Sequence, residues 1–176
     1  MLKMTKADQP TVSPMWCAVD PEYDSAILAI AQRLMPEGFD VCDHAPNTYE
    51  GVISEYQKHN RLRVWSGASD HTIYGSPSVN HAFRAWHDWC HCTGDYPFTL
   101  AGEASACSMQ MQHIQDDYGD TETTRRWCAY ILADVLGQSM FESVQSIFPK
   151  NQRYFVRRLV ELLLEEQPDL PRQTYT

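Results

Sequence analysis

Apolar residues recur at helical spacing along most of the chain. Asp20-Pro21-Glu22 reads as a helix start, with a capping aspartate and proline at the first helical position. Ile27, Leu28, Ile30, Ala31 and Leu34 then form an apolar stripe that ends at Pro36-Glu37-Gly38. A second amphipathic stretch, residues 47–59, turns Val52, Ile53 and Tyr56 inward. Ser76-Pro77 opens a helix that runs to about Cys92, and Thr99 caps another over residues 100–117. Asp120-Thr121-Glu122 opens a long helix through Phe148, stopped by Pro149. Asn151 caps a last one over 152–165, with Phe155, Val156, Leu159, Leu162 and Leu163 inward. Capped segments joined by short links predict an all-α, single-domain bundle of about five or six helices.

Three stretches fall outside this pattern. Residues 1–20 lack periodicity and contain Pro10 and Pro14, which predicts an irregular arm before a helical domain over 21–166. Residues 167–176 carry two prolines and read as a tail. Residues 61–77 hold glycines, serines and Pro77, which predicts a long loop with a short extended piece at 62–65. Loops of this length in compact domains are often functional.

The 176 residues suffice for one substantial core, and 43% hydrophobic with 21% charged residues is ordinary for a globular protein. The net charge of −9 argues against bulk nucleic-acid binding, though a local basic pocket stays open. No run of 18 apolar residues suggests a membrane span, and Met1-Leu2-Lys3-Met4 does not begin a secretory signal. The six cysteines show no CxxC pair. A cytoplasmic protein with free thiols is expected, and homo-oligomerisation stays open.

The chemistry concentrates in Asn80-His81-Ala82-Phe83-Arg84-Ala85-Trp86-His87-Asp88-Trp89-Cys90-His91. On a helix, His87 and His91 stand one turn apart on one face, where two imidazoles can share a metal. Arg84 and Asp88 flank them, while Phe83, Trp86 and Cys90 form an aromatic, apolar face. A polar helix face is usually only solvated, but this one holds ligand-type groups without lysine or glutamate filler. His87-Asp88-x-x-His91 is formally the HExxH metallopeptidase arrangement with aspartate for glutamate. The known folds with that motif carry a sheet, which the sequence does not display, so peptidase activity is not the expectation.

Glu103 follows His91 by twelve residues, in the first turn of the next helix. A tight turn between antiparallel helices brings it beside the histidines, giving a His₂Glu set. A carboxylate at that position also suits a helix N-terminus without any metal. Asp134 is embedded in apolar sequence, with Tyr130 and Gln138 on its stripe, and a charge there needs a partner. Arg84, a ligating histidine or a metal would serve.

The combination Asp70-His71-Thr72-Ile73-Tyr74-Gly75, Val79-Asn80-x-x-Phe83-Arg84-Ala85-Trp86-His87-Asp88-x-x-His91 and Gly102-Glu103 resembles uncharacterised small proteins encoded by bacteriophages. That resemblance implies a phage origin, and hence a host cytoplasm. His71, His87-Asp88 and Asp134 stand in the order of the ligands of HD-superfamily nucleotide phosphohydrolases, although only sixteen residues separate His71 from His87. Asp88-x-x-His91, Glu103 and Asp134 are also similar to part of the ferritin-like di-iron pattern, which normally has two Glu-x-x-His motifs.

These readings lead to a metal-dependent hydrolase acting on a phosphorylated small molecule or nucleotide. His87, His91 and Glu103 would bind a divalent zinc, manganese or iron ion, with Asp88 as a further ligand or, with Asp134, as a catalytic carboxylate. Arg84 would hold the anionic group, with Asp70 and His71 near the mouth of the site. The alternatives are a non-haem iron oxygenase with the same ligands, and a non-enzymatic phage protein that binds a host factor.

Overall fold

The computed structural model describes residues 19–165. Helices α1 (Pro21–Leu34), α2 (Tyr49–His59), α3 (Pro77–Gly94), α4 (Leu100–Tyr118), α5 (Glu122–Leu132), α6 (Gln138–Gln145) and α7 (Gln152–Glu165) dominate it. Two three-residue strands, β1 (Asp40–Cys42) and β2 (Arg63–Trp65), pair in parallel. The all-α expectation therefore holds, with this small sheet as the exception. The predicted tail lies outside the described residues, as does the arm except for Val19 and Asp20.

Most predicted caps form. Asp20 accepts from Glu22 and Tyr23 N–H, Ser76 from Val79, Thr99 from Gly102 and Asn151 from Tyr154; Thr48, accepting from Gly51, caps α2 without having been marked by the sequence. Val19 and Asp20 belong to the fold rather than to an arm. Val19 N–H donates to Ile73 O at 3.0 Å, and the Asp20 carboxylate also receives Arg126 and Trp127.

The core lies where α1 packs on α3, α3 on α4, and α4 on α5. Tyr23, Ile27 and Ile30 meet Phe83, Ala85, Trp86, Ile114 and Ile131 there, all buried. This consumes the aromatic face of α3 and leaves its His/Asp face turned toward α4 and a cleft.

Two predicted elements need correction. The long helix is not uniform to Phe148. Between α5 and α6 it widens into a π-helical turn, Ala133–Gly137, and α6 ends at Gln145 with Ser146 in the left-handed region. In α7, Val156 and Val160 are buried while Leu162 is 44% exposed, so that helix turns a narrower face inward than expected. β1 was not anticipated. Parallel pairing needs a crossover, and α2 supplies it between β1 and β2.

Candidate metal centre and cleft

His87, His91 and Glu103 converge, with ligand atoms all within 4.8 Å of one another, and this cluster can hold a metal ion. The two Nε2 atoms are 3.0 Å apart. Glu103 places Oε2 3.1 Å from His87 Nε2 and Oε1 3.6 Å from His91 Nε2. Helical spacing accounts for the histidines. The turn after α3 accounts for Glu103. Asp95 ends α3 in the left-handed region, Tyr96 N–H returns to His91 O, and Thr99 caps α4.

Gly102 makes the close approach possible. A Cβ there would stand 1.8 Å from the carbonyl oxygen of Pro97. Only glycine lets the first turn of α4 lie against the turn, with Glu103 directly after it.

The outer nitrogens of both imidazoles are tied down. His91 Nδ1 lies 2.7 Å from the carbonyl oxygen of Tyr96, which can only accept. His87 Nδ1 lies 3.1 Å from Gln110 Oε1. With Nδ1–H donating in each ring, both Nε2 lone pairs face the Glu103 carboxylate. Partners of this kind fix the tautomer in metal-binding histidines. Three electron-rich groups so close together need a cation or a shared proton between them.

Charge shifts follow the same geometry. Burial lowers the His87 pKa, but the hydrogen bond and charge of Glu103 outweigh it, so the net shift is upward. Burial likewise acts to raise Glu103, yet its two histidine partners pull it down to about 2. Burial lifts Asp88 to about 6, against the attraction of His87 and His91.

An open cleft of about 810 Å³ reaches His87 and Glu103, with Asp88, Asp134, Arg84 and Gln138 also on its walls. His91, fully buried, forms the closed back of the triad. Asp88 does not join the ligand cluster. Among the described residues no hydrogen bond or ion pair reaches its carboxylate, which lines the cleft one position along from His87.

The remaining candidates divide. Asp134 sits in the π turn and accepts from Tyr74 Oη at 2.7 Å and from Gln138 Nε2, not from Arg84 or a ligating histidine. Arg84 spends its guanidinium on the loop, donating to the carbonyls of Trp65 at 2.8 Å, Gly67 at 2.6 Å and Ala68 at 3.1 Å. The anion-holding role expected of it loses these donors. Asp70 and His71 are exposed and are not among the cleft's lining residues. The loop instead offers Trp65 and Ala68. Its later part is pinned elsewhere, with Arg153 N–H on His71 O and Gly75 N–H on Asp24.

Cys42, Cys90, Cys92, Cys107 and Cys128 are free, and Cys17 lies outside the described residues. Burial raises the Cys92 thiol to about 12 and Cys90 further, so neither offers a thiolate beside His91. Gln110 was not anticipated. Glu103, Cys107 and Gln110 follow one face of α4 at helical spacing, which is the signal that marks it.

No protein-family model, curated protein or solved structure matches the chain.

Proposed function

We propose that the chain is a metal-dependent hydrolase with a mononuclear His87–His91–Glu103 centre. The observation that carries this is the convergence of two Nε2 atoms and one carboxylate at the closed end of a large cleft, with both Nδ1 atoms already occupied by carbonyl oxygens. Two histidines and a glutamate suit zinc with one position left for water. A cation held there would supply Lewis acidity and lower the pKa of bound water toward about 7.

The chain's own groups supply the rest. Among the described residues no hydrogen bond or ion pair occupies Asp88, which lines the cleft beside His87, so it can take a proton from the attacking water and return it to the leaving group. Glu103 balances the cation's charge. Trp65, Phe83 and Phe98 give the cleft apolar walls that limit water. The commitment of Arg84 to three loop carbonyls removes the main support for a phosphorylated substrate, so the reaction is proposed as hydrolysis without that restriction.

Elemental analysis of protein purified without chelator or affinity histidines tests the first part. One equivalent of zinc, manganese or iron is expected, and about none after His87→Ala with His91→Ala. Turnover of ester and amide substrates that needs the metal and Asp88 supports the second part. Oxygen uptake by the iron-loaded protein without hydrolysis would move the reading to an iron oxygenase.

A further inference from the structure

From the unpaired edge of β2, we infer that the substrate is an extended peptide that adds to this strand as it enters the cleft. This rests on the hydrolase reading above and specifies its substrate class.

The pairing shows which edge is free. Asp40 N–H donates to Leu62 O at 2.9 Å and Ser66 N–H to Cys42 O at 2.9 Å, so Leu62, Val64 and Ser66 turn their backbone groups toward β1. Arg63 and Trp65 turn theirs the other way. Arg84 takes the Trp65 carbonyl from that side. Among the described residues, Arg63 N–H, Arg63 C=O and Trp65 N–H have no backbone partner there.

This edge faces the cleft. Arg63, Val64 and Trp65 all line it, although alternate side chains of a strand point to opposite faces. Val64 as a whole is only 2% exposed, so Arg63 and Trp65 carry the strand's open contact with the cleft. A donor, an acceptor and a second donor spaced along an open edge match the main chain of an extended peptide. An antiparallel guest would exchange both bonds with Arg63 and offer a carbonyl to Trp65.

The distance to the metal centre is short. Arg84 touches Trp65 O, and Asp88 lies one turn further along α3, about 6 Å in rise. With the length of the Arg84 side chain added to that rise, a peptide paired with Trp65 needs only a few residues, at about 3.3 Å each, to span to the triad. Trp65 is 50% exposed and Leu100 47%, and both line the cleft, where they can receive apolar side chains.

The reaction balances as plain hydrolysis. A water oxygen bonds to the peptide carbonyl carbon, and the C–N bond breaks. Asp88 takes the water's proton and passes it to the departing amine. One water is consumed and nothing is oxidised.

The test uses the zinc-loaded chain with three probes: acetohydroxamate, acetyl-leucyl-leucine hydroxamate, and the same peptide hydroxamate N-methylated at its backbone amides. Intrinsic tryptophan fluorescence and calorimetry report binding. The peptide probe is expected to bind at least about tenfold more tightly than acetohydroxamate, and N-methylation should erase that gain. Arg63→Pro removes one edge N–H without touching a bond to β1 and should also erase it, while Arg63→Ala should keep it. If Arg63→Pro does not fold, the N-methylated probe on the native chain still decides. A peptide probe that binds no better than acetohydroxamate overturns the strand-addition inference and leaves the metal centre standing. A chain that takes up no zinc and binds no hydroxamate overturns the hydrolase reading and this inference with it.

Discussion

His87 and His91 hold their Nε2 atoms 3.0 Å apart while a carbonyl oxygen faces the Nδ1 of each ring. For His91 that oxygen is main chain and cannot change role. For His87 it belongs to the Gln110 amide, whose Nε2 is buried without a partner among the described residues. Turning the amide over would make Nδ1 an acceptor and place the proton on His87 Nε2, toward Glu103. A cation at the triad excludes that proton, so it favours Oε1 toward the ring.

Gln110→Leu is therefore expected to weaken zinc binding by roughly 10–100-fold, the usual effect of losing such an outer partner. Gln110→Glu, which retains an acceptor, should hold zinc at least as tightly as the native chain. Competition against a chromophoric chelator measures both, and nitrogen chemical shifts of His87 report the tautomer. Native affinity in Gln110→Leu would show that the outer bond does not set the ligand.

Gly102→Ala should destabilise the chain despite alanine's better helix propensity. That gain is worth about 1 kcal/mol. Against it stands a Cβ 1.8 Å from the Pro97 carbonyl oxygen, a main-chain atom that cannot swing aside. Overpacking of this kind costs about 1–3 kcal/mol, so the net loss should lower Tm by a few degrees. Because the displaced turn carries Glu103, zinc affinity should fall as well. Unchanged Tm and affinity would mean that the turn after α3 adapts freely.

Asp134 ties the loop to the π turn and stands apart from the ligands. Tyr74→Phe removes a hydrogen bond to a partly buried carboxylate and should cost about 1.5–3 kcal/mol. Zinc affinity should stay within about threefold of native in both Tyr74→Phe and Asp134→Asn. Thermal melts and zinc titrations on the two variants separate these roles. A tenfold or larger loss of zinc in Asp134→Asn would place this carboxylate in the metal's own network.

The parts legible from the sequence were those set by local rules. The caps at Asp20, Ser76 and Thr99 and the i, i+4 pair His87/His91 depend on neighbours along the chain, and each stands where the pattern put it. Glu103 was reachable because a short turn leaves little choice of direction. β1 was not visible, since three residues with Asp40 and Val41 exposed show no alternation. Without β1 there was no sheet, and the peptidase-like motif was set aside on that ground. The partners of Arg84 and the Tyr74 partner of Asp134 come from the 65–75 loop, whose path depends on long-range contacts through Tyr74 and Arg153; the other partner of Asp134, Gln138, stands on its own helical stripe.

Asp88 couples function to stability through its raised pKa. Its carboxyl titrates near 6 in the folded chain against an ordinary value of 3.8. Below about pH 4 it is protonated in both states and costs nothing. Between pH 4 and 6 the unfolded chain ionises first, so stability falls as pH rises. Above pH 6 the cost is constant. Two pKa units correspond to about 3 kcal/mol, and solvent in the cleft screens this to about 1–2 kcal/mol. Asp88→Asn keeps the shape and removes the charge. In chelator at pH 7.5 it should raise Tm by several degrees, at about 2–4 °C per kcal/mol for a chain of this size, and the gain should vanish at pH 4. The same variant should lose hydrolysis while still taking up zinc, since Asp88 is not in the His87–His91–Glu103 cluster that can hold the ion. Melts of both proteins from pH 4 to 8 read the first effect, and metal content with turnover reads the second. Melting curves offset equally at every pH would show that Asp88 carries no strain, and zinc lost along with activity would make it a ligand.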